Sequence, residues 1–273
     1  MTDDSGGPAL PERWWYLRSE PARGAVNMAV DTALMSTATR TGRGIWRCYS
    51  WSHPTVSFGR NETVRGRCTP DALTAAGLDA VRRPTGGRAL LHAAEVTYSV
   101  AVPMPPGVPW TRLYGAVNAI LLDALQALGV PATLAGRAEG DPLRPVGPVC
   151  FDQPAEGEIT VHGAKLVGSA VWRDRGAYLQ HGSILLDNAQ DRLRDLLPSP
   201  RATSAAQPPA TLTELLPACP SLSTVAEALE RALATQMARS GGSVAPLPAN
   251  ELSADDVSAL TQHYHAPDWL WRR

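Results

Sequence analysis

Apolar and polar positions along this chain follow two rhythms, and the switches between them mark out its elements. From Gly24 to Arg40, the residues Val26, Val30, Ala33 and Leu34 recur at helical spacing and predict a helix with one apolar face. Trp110–Gly129 repeats the pattern more strongly through Leu113, Val117, Ile120, Leu121, Ala124 and Leu128. A short helix is expected over Pro70–Ala76, started by Thr69 and stopped by Gly77. The segments "IWRCYSW", "TVSFG", "LDAVRR" and "EVTYSVAVP" are rich in β-branched and aromatic residues and read as strands. Glu158–Trp172 reads as a hairpin turning at His162-Gly163, and "GAYLQHGSILLD" as one more strand. Beyond the linker-like "PSPRATSAAQPPA", "TVAEALERALATQMA" and "SADDVSALTQHYH" return to the helical period.

This order predicts an α+β fold: a mixed or antiparallel sheet with helices packed on it and a helical C-terminal part. Residues 1–12 read as a tail, 13–197 as the main domain, 198–210 as a linker and 211–273 as the C-terminal helical segment.

Composition narrows the function classes. The chain has 273 residues, 44% hydrophobic and 19% charged, as in ordinary soluble domains. A formal charge of −1 gives no footing for a general nucleic-acid binder. No run approaches the roughly 20 apolar residues of a membrane span. The acidic first dozen residues do not resemble a signal peptide. The four cysteines, Cys48, Cys68, Cys150 and Cys219, form no CxxC pair and show no zinc spacing, so reduced thiols, a cytoplasmic setting and no metal site are expected.

Three features carry candidate chemistry. Cys150 sits in a glycine- and proline-rich loop before the hairpin, where it reads either as a small buried hydrophobe or as a thiolate-prone nucleophile. Lys165, in a lysine-poor chain, lies opposite Thr160 just past the hairpin turn. On strict alternation it shares its face with Val167 and Ser169. It reads either as a solvated charge or as the cation that activates a nearby thiol. The third feature is "RRPTGGRALLH", Arg82 to His92, whose glycines make a hairpin turn or let a ligand approach the backbone. Arg82, Arg83 and Arg88 crowd this loop with Arg60, Arg65 and Arg67 upstream. The cluster suggests an acidic ligand, or arginines that solvate strand ends. His92 and His181 have no partner at fixed spacing and read as structural histidines bonded to backbone. Cys48 and Cys219 read as packing residues and Cys68 as a surface thiol.

Together, "NMAVDTALM", "RRPTGGRALLH" and "GEITVHGAKLVGSAVW" followed by "LQHGSILL" resemble, in order, the motifs of the lipoate–protein ligase A/octanoyltransferase family; "PDWLWRR" resembles a frequent family ending. The resemblance covers roughly residues 24 to 187. It implies a biotin/lipoate-protein ligase-like (class II synthetase-like) catalytic domain. "VCFD" resembles the cysteine-type octanoyltransferases, whereas "SFGRNE" is closer to the ATP-dependent lipoate ligases.

On the transferase pattern, the resemblance implies that Cys150 accepts octanoate as a thioester, with Lys165 lowering its pKa and contacting the carbonyl. It implies that Arg83, Thr85, Gly86, Gly87, His92, Gly168, Ser169 and Ala170 line the substrate site. The implied donor is octanoyl-acyl carrier protein. The implied acceptor is a lipoyl-domain protein, such as the glycine-cleavage H protein or a dehydrogenase E2 subunit. No cofactor, nucleic acid or membrane is implied. An ATP-dependent lipoate–protein ligase and a non-catalytic acyl- or lipoyl-binding module are the alternative readings.

Overall fold

A computed structural model describes residues 10–104, 107–136, 151, 155–197 and 207–272. The first half of the chain runs β1 (Arg13–Arg18), α1 (Gly24–Thr41), β2 (Gly44–Tyr49), β3 (Thr55–Phe58), α2 (Pro70–Ala75), β4 (Asp79–Arg82), β5 (Leu90–His92), β6 (Glu95–Pro103) and α3 (Trp110–Ala127). It continues with β7 (Thr133–Leu134), β8 (Ile159–Val161), β9 (Ala164–Asp174), β10 (Ala177–Leu185), α4 (Gln190–Leu196), α5 (Leu212–Leu215), α6 (Leu222–Arg239), β11 (Ser243–Pro246), α7 (Ala254–His265) and α8 (Pro267–Leu270).

Eight strands form a mixed sheet in the order β11-β1-β2-β6-β10-β9-β8-β7, with β1 parallel to both its neighbours and the other pairings antiparallel. Period-2 alternation divides its side chains between two layers. Trp14, Trp46, Tyr98 and Val100 pack under α3 and α6, whereas Trp15, Ile45, Ala101 and Leu179 pack under α1. Both faces are therefore covered, and β2, β6 and β10 are almost wholly buried. That is why Glu95, Thr97 and Ser99, the polar alternation of "EVTYSVAVP", are buried rather than solvated.

The helices sit where the periodicity places them, and Thr69 caps α2 by accepting from the Ala72 amide at 3.2 Å. Four strands were not legible, the two-residue β7 among them. "RWWYLR" becomes β1, "LLH" becomes β5, and "SVAP" becomes β11 on the outer edge of β1. The C-terminal stretch is helical but also completes the sheet.

The glycine loop is not a hairpin turn. Strands β4 and β5 do not pair with each other; they flank β3 in a second small sheet, β4-β3-β5. Residues 84–88 therefore arch over the end of β3 and press on it. A Cβ at Gly59 would lie 2.0 Å from the Gly87 carbonyl oxygen, so only glycine fits beneath the arch. Gly59→Ala should lower stability by about 1–3 kcal/mol and displace the loop. Thermal melting and a transfer assay would check this, and an unchanged melting curve would refute the close packing.

Of the arginines around this loop, Arg65 and Arg67 are exposed and Arg60 and Arg88 half-buried, but Arg82 and Arg83 are not surface charges. Arg82 is buried, donating to the carbonyls of Gly59 (2.7 Å), Glu62 (2.9 Å) and Leu270 (2.9 Å). Trp269 returns a bond from its indole N–H to the Arg82 carbonyl at 2.9 Å, so α8 is laced to β4. Arg83 is also buried, bonding the carbonyls of Ser57, Gly86 and Arg88 at 2.8, 3.1 and 2.9 Å. Chain folding requires these guanidinium groups, because an arched loop leaves carbonyls without strand partners. Cys68 is buried against the small sheet's core and is not a surface thiol.

Candidate active site

A narrow cleft opens where α1, the small sheet and the β9–β10 hairpin meet. The space between its walls, counted out into open solvent, is about 330 Å³. Met28, Tyr49 and Leu90 contribute much of its apolar wall; Arg83, His92, Gly168, Ser169, Ala170, His181 and Ser183 also line it.

A bulge decides which side of β9 faces this cleft. Val161 pairs with Ala164 and Thr160 with Lys165, but Ile159 pairs with Val167, so one extra residue is accommodated at Leu166. Such an insertion reverses the alternation beyond it. Lys165 consequently shares its face with Gly168 and Ala170 rather than with Val167 and Ser169. A Cβ at Gly168 would lie 3.3 Å from Lys165 Cε and 3.0 Å from the Phe151 ring.

Lys165 is not a solvated hairpin charge. It is 4% exposed, pairs with Glu158 at 2.8 Å and lies 5.2 Å from the centre of the Phe151 ring. Glu158 Oε2 also accepts from the Ala155 amide at 2.7 Å. A buried ammonium needs such a counter-charge to remain in a dry site. Lys165 is also the sole lysine among the 25 lysine and arginine side chains of the chain. Lysine offers a compact point charge that arginine's planar fork does not replace.

Two hydroxyl–imidazole–carboxylate chains stand behind the cleft. In the first, Asp31 of α1 accepts from His181 Nδ1 at 3.0 Å, and His181 Nε2 meets the Thr85 hydroxyl at 2.7 Å. Asp31 also accepts from Arg47 (2.7 Å), Ser99 (2.7 Å) and Tyr49 (2.9 Å). Burial alone would raise the Asp31 pKa, but the Arg47 guanidinium and the His181 and Ser99 bonds outweigh it and hold the carboxyl below its usual range. In the second chain, Ser57 Oγ meets His92 Nε2 at 2.6 Å and His92 Nδ1 meets Glu95 Oε1 at 2.6 Å, with Trp51 stacked on the imidazole at 3.8 Å. Neither histidine is bonded to backbone as the sequence suggested; both lean on carboxylates. Among the described residues, no group of three or more His, Cys, Asp or Glu side chains is arranged to hold a metal ion. No described helix is long and apolar enough to cross a membrane.

The family model for the lipoyl protein ligase A/B catalytic domain matches residues 23–234, which takes in every wall of this cleft. The chain belongs to that family. Octanoyltransferase LipM of Kyrpidia tusciae is 38% identical, over 96% of this chain and 100% of its own. Octanoyltransferase LipM of Staphylococcus aureus is 30% identical, over 97% and 100%. Among solved structures, a lipoate-protein ligase A bound with ATP shares the fold with a TM-score of 0.74 at 20% identity, covering 95% of this chain and 98% of that one.

Within this lipoyl ligase-family fold, most of the expected site residues converge. Arg83, His92, Gly168, Ser169 and Ala170 line the cleft. Thr85 is buried behind it on His181, while Gly86 and Gly87 form the crest of the arch, half-buried and exposed. Lys165 borders it through Gly168. Cys150 lies outside the described residues; the residue after it, Phe151, is buried against Lys165. Sequence reading missed Asp31, Arg47, Glu95 and Ser183. The spacing of Asn27 and Asp31 along "NMAVDTALM" was the available signal, since two polar residues four apart occupy the buried face of α1.

Proposed function

We propose that this protein is an octanoyltransferase of protein lipoylation, moving octanoate from acyl carrier protein through a Cys150 thioester to the lysine of a lipoyl domain. The observation that carries the reading is the likeness to curated octanoyltransferases over essentially the whole of both chains. The burial of Lys165 beside Phe151 supports its role as the cation that favours the Cys150 thiolate.

In this mechanism the Cys150 thiolate attacks the donor thioester carbonyl, and the C–S bond to the carrier's thiol breaks. Lys165 and backbone N–H groups of Gly168 to Ala170 stabilise the oxyanion. β8 leaves β9 at Val167, so beyond that point β9 is paired only with β10 among the described residues. That uncovered side suits a carbonyl oxygen. Arg83, Thr85, Gly86, Gly87 and His92 bound the acyl channel. The acceptor, a glycine-cleavage H protein or a dehydrogenase E2 lipoyl domain, then attacks the enzyme thioester, with no cofactor consumed. The free thiols of Cys48, Cys68 and Cys219 suit the cytoplasm.

The test is a choice of donor. Incubation with octanoyl-acyl carrier protein should add one hydroxylamine-labile octanoyl group, seen by intact mass, and octanoylate a lipoyl domain without ATP. Transfer of free lipoate or octanoate that requires ATP would establish the ligase instead.

A further inference from the structure

His92 bounds the acyl channel, but Ser57 and Glu95 behind it have no task in the transfer, and Glu95 reaches the cleft through two hydroxyls. Ser183 and Thr97 both line the cleft, and both donate to Glu95 Oε1, at 2.8 and 2.7 Å. With His92 Nδ1, three groups converge on that one oxygen. Glu95 is 3% exposed, and its Oε2 accepts from no donor among the described residues. A dry carboxylate with one crowded and one unused oxygen is an unusual expense in a core, and it retains the capacity to take up a proton.

Its location fits a need of the second half-reaction. Ser183 lies directly opposite Gly168 in the β9–β10 register, on the face that carries Lys165. An acceptor lysine arrives as an ammonium, since its ordinary pKa is about 10.4, and cannot attack a thioester until a proton leaves. Lys165 and Glu158 are ion-paired to one another.

We propose that Glu95 is the proton acceptor for the incoming amine, reached through Ser183, with His92 as the positioning residue that fixes the carboxylate. The inference rests on the octanoyltransferase reading. The ammonium proton passes to Ser183 Oγ as the Ser183 hydroxyl proton passes to Glu95. The free amine then forms the C–N bond, the C–S bond of the enzyme thioester breaks, and the second nitrogen proton goes to the departing sulfur. Glu95 returns its proton to water when the product leaves.

The surroundings agree with this direction of transfer. Burial pushes the His92 pKa down and Arg83 and His181 add to that, against the opposite pull of Glu95; toward the Glu95 carboxylate, Nδ1 is the donor. Arg83 from the glycine loop, His181 from β10 and Tyr49 from β2 are the other titratable or charged groups facing the pair, with Asp31–Arg47 beyond Tyr49.

The experiment separates the half-reactions. Enzyme loaded from octanoyl-acyl carrier protein is offered either a lipoyl domain or hydroxylamine, which is largely unprotonated at neutral pH. Glu95→Gln and Ser183→Ala should lose far more of their rate toward the lipoyl domain than in loading or toward hydroxylamine. Their transfer to the lipoyl domain at pH 7 should be slower by about 100-fold, the deficit narrowing as pH rises. Equal slowing with both nucleophiles, or a deficit independent of pH, would overturn the proposal. Failure of the wild type to load would instead sink the octanoyltransferase reading, and this inference with it.

Discussion

Cys150→Ser should abolish octanoyl transfer, lowering the rate by about 10³-fold or more. On the proposed mechanism, the reason lies in what Lys165 can ionise. A thiol starts near pKa 8.5, close enough to neutrality for one neighbouring ammonium to generate thiolate. A serine hydroxyl lies far above that range, and Lys165, ion-paired to Glu158, carries no lone pair to serve as its base. Any oxygen ester that did form would also be a poorer acyl donor to an amine than a thioester. Intact mass after exposure to octanoyl-acyl carrier protein should show no adduct, and a lipoyl domain should stay unmodified. Wild-type transfer rates from the serine variant would remove Cys150 from the mechanism.

The second large effect is on stability. Asp31→Ala should destabilise the fold by about 3–5 kcal/mol, because it strands the fully buried Arg47 and leaves the donors on Tyr49, Ser99 and His181 without their acceptor. That corresponds to a fall in melting temperature on the order of 10 °C. The pH dependence has a definite sign. Asp31 has a folded-state pKa below its unfolded value of about 4, so its contribution is complete above that pH and is lost as pH falls through the folded value. The wild type should therefore lose stability more steeply than Asp31→Ala on the acid limb. Parallel acid limbs in calorimetry would contradict the assignment.

Some of this was legible in the chain itself. Helices α1, α2 and α3, the hairpin and the long strands follow from local rhythm, because each buries a face whose period local geometry sets. The glycine loop and Lys165 stood out as chemistry. What was not legible depends on contacts remote in sequence or on single-residue irregularities. Asp31 and His181 are 150 residues apart. The face that Lys165 takes is decided by one extra residue at Leu166, which strict alternation puts on the wrong side. Arg82 and Arg83 looked like surface charges because sequence does not reveal how many carbonyls the loops around β3 leave for them. β5 is three residues long, and β11 carries two alanine- and proline-type positions that suggest loop; both become strands only because a sheet edge is there to receive them.

The solitary lysine has a consequence for product fidelity. A catalyst that joins acyl groups to lysine side chains risks acylating itself or its neighbours whenever the thioester waits for its partner. Here every other cationic side chain is arginine, which does not compete as an amine, and the single lysine is buried in an ion pair. On the proposed thioester mechanism the chain therefore presents no amine of its own, apart from the α-amino group, to the acyl intermediate, and the octanoyl group is kept for the visiting domain.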